Sequence, residues 1–258
     1  MEKQHIFDMT GKICVVTGGS GYLGSACVAA LKGLGATVIN ADIMQRPEGK
    51  EDLFLQTNIR EKNGFQKLFQ TVFDTYGKLD AVVNCAFYGP KQWSSTYGRF
   101  IEHMSDENWE EYMDGTLNST MRSVRDCVPF MKEKGGSIVN FCSMYGLVAP
   151  DFSVYGDSPV RNPPCYGASK AGVYQLTKYA ASELGQYGIR VNCVSPGPFP
   201  NVPNPTEDPM AQNLAAKTML KRIGSNAEIA GAVCLLASDA STFMTGTNIV
   251  VDGGWTAW

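Results

Sequence analysis

The stretch Ile13-Cys-Val-Val-Thr-Gly-Gly-Ser-Gly-Tyr-Leu-Gly24 decides the fold of this chain, because a short apolar run leads directly into a glycine-rich turn. The glycines at 19, 21 and 24 have the Gly-x-Gly-x-x-Gly spacing of a dinucleotide-binding turn between a strand and a helix. The first allows a tight bend, the second lets a pyrophosphate approach the backbone, and the third lets the helix pack closely on the strand, with its N-terminus toward the anion. We therefore predict a dinucleotide site at Thr17, Gly18, Gly19, Ser20, Gly21, Tyr22, Leu23 and Gly24.

Outward from this turn, short β-branched runs alternate with longer helical patterns. We predict strands at Ile13–Thr17, Ala36–Asn40, Leu53–Thr57, Leu79–Asn84, Ser137–Phe141, Ile189–Val194 and Asn248–Val251. We predict helices at Gly21–Leu34, Lys62–Tyr76, Asp106–Lys132, Tyr166–Tyr187 and Ala227–Ala237. Near-continuous apolar strands suit a parallel sheet that is buried on both faces, and their alternation with helices implies right-handed βαβ units. The sequence therefore predicts an α/β fold: one Rossmann-type domain over residues 1–258, with a doubly wound parallel sheet and helices on both faces.

The bulk composition restricts the class of protein. Of 258 residues, 44% are apolar and 18% charged, and the net charge is −3, which argues against a nucleic-acid or anionic-membrane partner. No apolar run has the length of a membrane span, and the first residues lack the order of a signal peptide, so we expect a cytoplasmic protein. The eight cysteines lie singly in apolar segments, which favours reduced, buried thiols. Because the chain has only two histidines and no Cys-x-x-Cys pair, we expect no metal site.

Three segments interrupt the alternation, at about residues 86–104, 147–164 and 196–210. Each follows a predicted strand, so we expect all three at the carboxyl ends of the strands, where ligands bind in such sheets. Their polar side chains could hold a hydroxylated or phosphorylated substrate: Lys91, Arg99, Asp151, Asp157 and Arg161. Their aromatic side chains could stack on a sugar ring: Phe87, Tyr88, Trp93, Phe152 and Tyr155. The alternatives are a solvated rim for the first set and an apolar core within the loops for the second.

Asp42 follows the predicted second strand. A carboxylate at this place accepts hydrogen bonds from the adenosine ribose hydroxyls and repels a 2′-phosphate. The glycine turn contains no lysine or arginine to bind such a phosphate. We therefore predict NAD(H) as the cofactor in preference to NADP(H), although Arg46 could weaken this preference.

Tyr166 and Lys170 are four positions apart in a predicted helix and so share one face. The lysine ammonium can stabilise the tyrosine phenolate. Lowering a phenol pKa from about 10 to about 7 requires roughly 4 kcal/mol, which a nearby cation in a partly desolvated cleft can supply. The pair thus predicts a phenol that gives or takes a proton near neutral pH.

Over essentially its full length the chain resembles the short-chain dehydrogenase/reductase family. Besides the glycine turn, Asp42 and Tyr166-x-x-x-Lys170, the resemblance rests on Asn84-Cys-Ala86, Ile138-Val-Asn-Phe-Cys-Ser143, Arg190-Val-Asn-Cys-Val-Ser-Pro-Gly197 and Val251-Asp-Gly-Gly254. It implies that Ser143 hydrogen-bonds the substrate oxygen, that Tyr166 is the general acid/base, and that Lys170 holds the ribose and lowers the tyrosine pKa. It also implies a cytoplasmic homotetramer, or a dimer, and further cofactor contacts at Asn58, Ile59, Asn84, Cys85, Ala86, Pro196 and Gly197.

The chain departs from the family pattern at several of these positions. The spacing around Gly21 is typical of the family's long-chain branch. Asn58 stands where an aspartate usually contacts adenine, and Phe87 replaces a glycine. The asparagine of the family's proton relay falls on Thr116, with Asn118 two residues away, so the relay residue stays open between them.

Ser143 and Tyr166 are 23 residues apart, which is more than the family usually shows. The extra residues, at 149–164, resemble a branch of bacterial enzymes of sugar modification, including nonulosonic-acid pathways. We therefore predict an oxidoreductase that interconverts a secondary alcohol and a ketone on a small, sugar-like or nucleotide-sugar substrate. The alternatives are reduction of a 3-oxoacyl thioester or an apolar ketone, and a non-catalytic NAD-binding sensor or scaffold.

Overall fold

Seven parallel strands form one sheet in the computed structural model, which describes residues 6–45, 52–89, 100–156 and 161–258. The strands are β1 (Ile13–Thr17), β2 (Thr37–Asp42), β3 (Leu53–Gln56), β4 (Ala81–Asn84), β5 (Gly136–Phe141), β6 (Ile189–Pro196) and β7 (Asn248–Val251). Their order across the sheet is β3-β2-β1-β4-β5-β6-β7. The order reverses direction at β1 and β4, which opens a crevice at the carboxyl ends of these strands.

Helices cover both faces of the sheet. One face carries α1 (Tyr22–Gly33) and α7 (Asn226–Ala237) over a core of buried apolar residues. The other face carries α2 (Gly64–Tyr76), α4 (Ser119–Met131) and α5 (Pro164–Leu184) over a second core. The strands between the two cores are buried on both sides, which is why they are nearly continuous apolar runs. The doubly wound Rossmann-type fold predicted from the sequence is therefore confirmed.

Two further helices lie near the carboxyl edge of the sheet. Helix α3 (Asp106–Met113) runs into α4 through a π-helical turn at Asp114–Asn118, and α6 (Pro209–Lys217) packs on a short 3-10 turn at Phe152–Tyr155. No helix in the described ranges is both long and apolar enough to span a membrane.

The sequence-based boundaries differ from the structure in two informative places. The seven predicted strands are confirmed, with ends that shift by two residues at most. The predicted helix Asp106–Lys132 is helical, but a wide π turn interrupts it. The prediction of a loop at 196–210 is wrong at its end, because α6 begins at Pro209. Asp208 accepts the backbone N–H of Ala211 at 2.7 Å and so caps that helix.

Candidate functional site

A cleft of about 1320 Å³ lies at the carboxyl ends of the central strands. It extends from the glycine turn after β1 to the start of α5, and residues that follow β2 to β6 complete its walls. Of the residues predicted from the sequence, the structure brings these to the cleft: Gly18, Gly21, Tyr22, Leu23, Gly24, Asp42, Asn58, Ile59, Cys85, Ala86, Ser143, Tyr166, Lys170, Pro196 and Gly197. The predicted residues that do not line it are Thr17, Gly19, Ser20, Asn84 and Thr116.

The glycine turn is packed so closely that two of its glycines have no room for a side chain. Gly18 has a φ of +69°, and a Cβ there would lie 2.8 Å from the Cα of Ala86. A Cβ on Gly24 would lie 2.1 Å from the carbonyl oxygen of Gly18. The turn therefore presents bare backbone and the N-terminus of α1 to the cleft, as a pyrophosphate site requires.

Asp42 lies at the end of β2, on the rim of the cleft beside the glycine turn. Its carboxylate accepts the backbone N–H of Ser20 at 3.1 Å and that of Ile43 at 2.7 Å. The Ser20 hydroxyl in turn accepts a hydrogen bond from the Asn40 side chain at 3.0 Å. Ser20 therefore fixes Asp42 against the turn, although its side chain does not line the cleft.

Thr17 and Asn84 are buried behind the cleft and hold its walls. Thr17 Oγ1 accepts the backbone N–H of Ala86 at 3.2 Å, which ties the end of β1 to the segment after β4. The Asn84 side chain accepts a hydrogen bond from Ser123 at 2.6 Å and donates one to Asn140 at 2.9 Å. Both residues position the cleft from within the sheet.

Ser143, Tyr166 and Lys170 meet at one end of the cleft, where β5 ends and α5 begins. Ser143 is almost fully buried, and its Oγ accepts the backbone N–H of Tyr145 at 3.2 Å. The Ser143 hydroxyl also lowers the pKa of the Tyr166 phenol, as a nearby hydrogen-bonding group does. Lys170 Nζ donates to the carbonyl oxygen of Phe141 at 2.8 Å and lies 5.9 Å from the centre of the Tyr166 ring. The three side chains predicted from the sequence are thus neighbours.

The protonation of this group differs from the prediction. Burial raises the pKa of Tyr166, and the hydrogen bond with Ser143 acts in the opposite direction without reversing the shift. Burial likewise lowers the pKa of Lys170. The expected lowering of the tyrosine pKa by Lys170 is therefore wrong for the protein alone, because desolvation disfavours both charged forms.

The π-helical turn places the two candidate relay residues differently. Thr116 is 1% exposed, and its Oγ1 has no hydrogen-bond partner among the described residues. Its carbonyl oxygen accepts the Thr120 hydroxyl at 2.8 Å. Asn118 is exposed and donates to Asp114 at 3.3 Å. Neither side chain lines the cleft, so the structure assigns the relay to neither.

Arg60 and Tyr88 line the cleft but were not predicted as cofactor contacts. The Arg60 guanidinium stacks over the Tyr88 ring at 3.8 Å from its centre and pairs with Glu111 at 2.6 Å. The Tyr88 hydroxyl donates to Asp114, which also forms an ion pair with Arg122 at 2.7 Å. This group joins the segment after β4 to the π turn. No local sequence pattern reveals it, because its members come from the segments after β3 and β4, from α3, from the π turn and from α4.

Four residues of the predicted substrate loops lie outside the described residues: Lys91, Trp93, Arg99 and Asp157. Arg46, which was considered for the choice between NAD(H) and NADP(H), lies outside them as well. Asp151 pairs with Lys217 of α6. Arg161 lies over the rings of Phe100 and Phe152, at 5.6 Å and 5.5 Å from their centres. The loops that follow β4 and β5 are therefore in contact with each other.

Comparison with known proteins extends this description. A protein-family model described as enoyl-(acyl carrier protein) reductase matches residues 20–256. The 3-oxoacyl-(acyl-carrier-protein) reductase FabG of Thermotoga maritima is 32% identical, over 95% of this chain and 98% of that protein. The L-fucose dehydrogenase of Mus musculus is 31% identical, over 95% of this chain and 88% of that protein. The crystal structure of a short-chain dehydrogenase from Leptospira borgpetersenii with bound NAD+ is 30% identical, covers 99% of this chain and 97% of its own, and has a TM-score of 0.84.

Proposed function

Because the chain belongs to the short-chain dehydrogenase/reductase family of oxidoreductases, we propose that it interconverts a secondary alcohol and a ketone with NAD(H) as its cofactor. The observation that carries the proposal is the meeting of Ser143, Tyr166 and Lys170 at one end of a cleft whose other end is the glycine turn. A dinucleotide along this cleft would place its nicotinamide beside the phenol.

The residues of the cleft fit such a dinucleotide. The turn from Gly18 to Gly24 would hold the pyrophosphate against bare backbone, and the Asp42 carboxylate would accept the adenosine ribose hydroxyls. Pro196 and Gly197 wall the other end, where a Cβ on Gly197 would lie 2.4 Å from the Cα of Asp252. Because a carboxylate repels a 2′-phosphate, NAD(H) fits this rim better than NADP(H) does.

Tyr166 supplies the proton of the reaction. Its raised pKa keeps the phenol protonated near neutral pH, so Oη can donate a proton to the carbonyl oxygen on reduction. In the oxidation direction the phenolate takes the proton from the alcohol. When bound, the nicotinamide supplies or accepts the hydride. Ser143 orients the substrate oxygen and stabilises the charge that develops on it. One ammonium proton of Lys170 is used by Phe141, which leaves two donors for the ribose hydroxyls.

For the substrate we favour a polar, sugar-like molecule. The support is the set of phenol and indole side chains beside Tyr166, together with the similarity to a protein named L-fucose dehydrogenase. Similarity to a protein named 3-oxoacyl-(acyl-carrier-protein) reductase supports the alternative of a thioester substrate.

The substitution Tyr166→Phe tests the proposal. It removes the proton donor and keeps the ring, so turnover should fall by about 10²- to 10⁴-fold. NADH affinity, measured by fluorescence titration, should stay close to that of the unmodified protein and exceed NADPH affinity. Tyr179→Phe is the matched control, because Tyr179 is 67% exposed on the same helix. Full turnover in Tyr166→Phe, on a panel of sugars, polyols and ketones, would exclude this mechanism. NADH binding without turnover by the unmodified protein would favour a sensor.

We also propose that the chain works as a cytoplasmic homo-oligomer, a tetramer or a dimer. Fully exposed Phe243 and largely exposed Trp258 are apolar side chains that a second copy could cover. Light scattering that gives the mass of a monomer at working concentration would overturn this proposal.

A further inference from the structure

The cleft continues beyond Asp42 to the end of β3, on the far side of the glycine turn from Tyr166. Strands β2 and β3 are parallel neighbours with Asp42 opposite Gln56, so the residues that follow β3 come next along the cleft. Asn58 and Arg60 line this end. A dinucleotide with its nicotinamide beside Tyr166 and its adenosine ribose at Asp42 would therefore place its adenine here.

Arg60 is fixed at this end of the cleft by three groups. Its Nη1 forms an ion pair with Glu111 at 2.6 Å, and its Nη2 donates to the carbonyl oxygen of Gly89 at 3.0 Å. The Tyr88 ring covers one face of the guanidinium, with 3.8 Å between the guanidinium carbon and the ring centre. Because the two nitrogens are bound to different partners, the planar group cannot rotate without breaking one of these bonds.

The opposite face of the guanidinium remains for a ligand. The Arg60 side chain is 34% exposed and lines the cleft, so its exposed part lies toward the cleft. Its charge is already paired with Glu111, which favours contact with an uncharged ring over a salt bridge to a phosphate. A guanidinium face stacks on planar π systems, and a nucleobase is such a system.

Asn58 is used by the turn that carries Arg60. Its Oδ1 accepts the backbone N–H of Arg60 at 3.1 Å, and its carbonyl oxygen accepts the backbone N–H of Glu61 at 3.1 Å. The other group at the end of the side chain, Nδ2, can only donate. The 6-amino group of adenine is a donor as well, so Nδ2 gives it no partner. Asn58 therefore favours recognition of the base through its face and not through its 6-amino group.

We propose that Arg60 binds the adenine of the cofactor by stacking, with the base on the guanidinium face opposite Tyr88 and without recognition of the 6-position. Glu111 and the Gly89 carbonyl hold the plane on which the base lies. The ligand class at this end of the cleft is therefore a purine that carries either a 6-amino or a 6-oxo group. This inference rests on the proposed binding of NAD(H) and adds the way in which the base is selected.

The test measures binding, by fluorescence titration, of NADH and of reduced nicotinamide hypoxanthine dinucleotide, in which a 6-oxo group replaces the 6-amino group. The unmodified protein should bind the two cofactors with affinities within about fivefold of each other. Arg60→Lys keeps the charge but removes the planar face, so it should weaken both by about five- to tenfold. Arg125→Lys is the matched control, because Arg125 pairs with Asp126 outside the cleft, and it should change neither affinity.

Two further variants separate stacking from a structural role of Arg60. Arg60→Tyr keeps a planar face but loses the ion pair with Glu111, so it should weaken NADH binding less than Arg60→Lys does. Asn58→Asp supplies a second side-chain oxygen that can accept the 6-amino group. This variant should therefore prefer NADH over the hypoxanthine cofactor by about tenfold.

Four outcomes would overturn the inference. A preference of the unmodified protein for NADH above about fivefold would show that the 6-amino group is recognised. Full affinity in Arg60→Lys would show that the guanidinium face does not bind the base, and a larger loss in Arg60→Tyr than in Arg60→Lys would show that Arg60 acts through its ion pair. No gain of preference in Asn58→Asp would place the base elsewhere. Failure to bind either cofactor would instead refute the proposed cofactor, and full turnover in Tyr166→Phe would refute only the proposed chemistry.

Discussion

The substitution Gly24→Ala tests how closely the glycine turn is packed. A Cβ at this position would lie 2.1 Å from the carbonyl oxygen of Gly18, 2.8 Å from its carbonyl carbon and 2.9 Å from the Cα of Gly19. All three atoms belong to the backbone, so no side chain can rotate away and the turn itself must move. Overpacking costs about 1–3 kcal/mol, and we place this contact at the upper limit. The helix propensity of alanine returns about 1 kcal/mol, so we expect a net loss of about 2 kcal/mol in the free energy of unfolding.

The matched control is Gly231→Ala. Gly231 lies in the middle of α7 on an exposed surface, and nothing lies within 4 Å of the position of its Cβ. Alanine should therefore raise the free energy of unfolding by about 0.5–1 kcal/mol. The two variants make the same chemical change within helices on the same face of the sheet, and they differ in the space around the added carbon.

Urea unfolding followed by circular dichroism measures both effects, with equal m-values as the condition for comparison. A fluorescence titration with NADH measures the second consequence. Gly24→Ala should weaken NADH binding by at least about tenfold, because the displaced turn no longer presents its N–H groups to the pyrophosphate. A Gly24→Ala variant with the stability and the NADH affinity of the unmodified protein would refute the close packing of the turn. A comparable loss of stability in Gly231→Ala would show that the cost does not arise from this contact.

Two further predictions concern polar side chains that hydrogen-bond within the fold. Hydrogen bonding from Arg122 holds the pKa of Asp114 at about 2, so the pair stabilises the fold above about pH 4 and this contribution is lost as the pH falls toward 2. Because the Asp114 side chain is 36% exposed, we expect the pair to contribute about 1 kcal/mol to the free energy of unfolding. In Asp114→Asn the free energy of unfolding in urea should therefore depend less on pH between about 4 and 2. A pH dependence equal to that of the unmodified protein would contradict this prediction. Ser123→Ala should lower the free energy of unfolding by about 1–3 kcal/mol, because it leaves the buried Asn84 oxygen without the 2.6 Å hydrogen bond of Ser123. Thermal and urea unfolding identical to the unmodified protein would show that Asn84 finds another partner.

The strands and the glycine turn could be predicted from the sequence because their signals are local. Every residue of β4 is buried, so its apolar run directly predicts a strand that is covered by helices on both faces. Helix α6 was missed although it has a local start signal, with Asp208 as its cap and Pro209 at its first position. The prolines that precede it in the chain favour a loop, and they led to the prediction of a loop up to residue 210. The π turn at Asp114–Asn118 has no sequence pattern of its own, and its place depends on the packing of Gly115 against Tyr88, where a Cβ would lie 2.0 Å from the Tyr88 carbonyl oxygen.

The proximity of Tyr166 and Lys170 could also be predicted, because it depends only on helical spacing. The direction of the shift in the pKa of Tyr166 could not be predicted from the sequence. An ammonium near a phenol lowers its pKa, whereas burial raises it, and the sequence does not give the depth of burial. Lys170 is 6% exposed and already donates to Phe141, so its charge is itself disfavoured. The balance between these effects is a property of the tertiary structure.

The aromatic cluster against which Tyr166 packs was the least predictable part of the candidate site, because its members come from distant parts of the sequence. Tyr145 is two residues after Ser143, Tyr155 lies in the longer segment before α5, and Trp255 is near the end of the chain. Their contact requires the whole sheet to be assembled, since β5 and β7 are separated by β6. The position of Tyr155 within this cluster also depends on α6, because Asn213 and Lys217 of that helix bind Val154 and Asp151 in the turn that carries Tyr155.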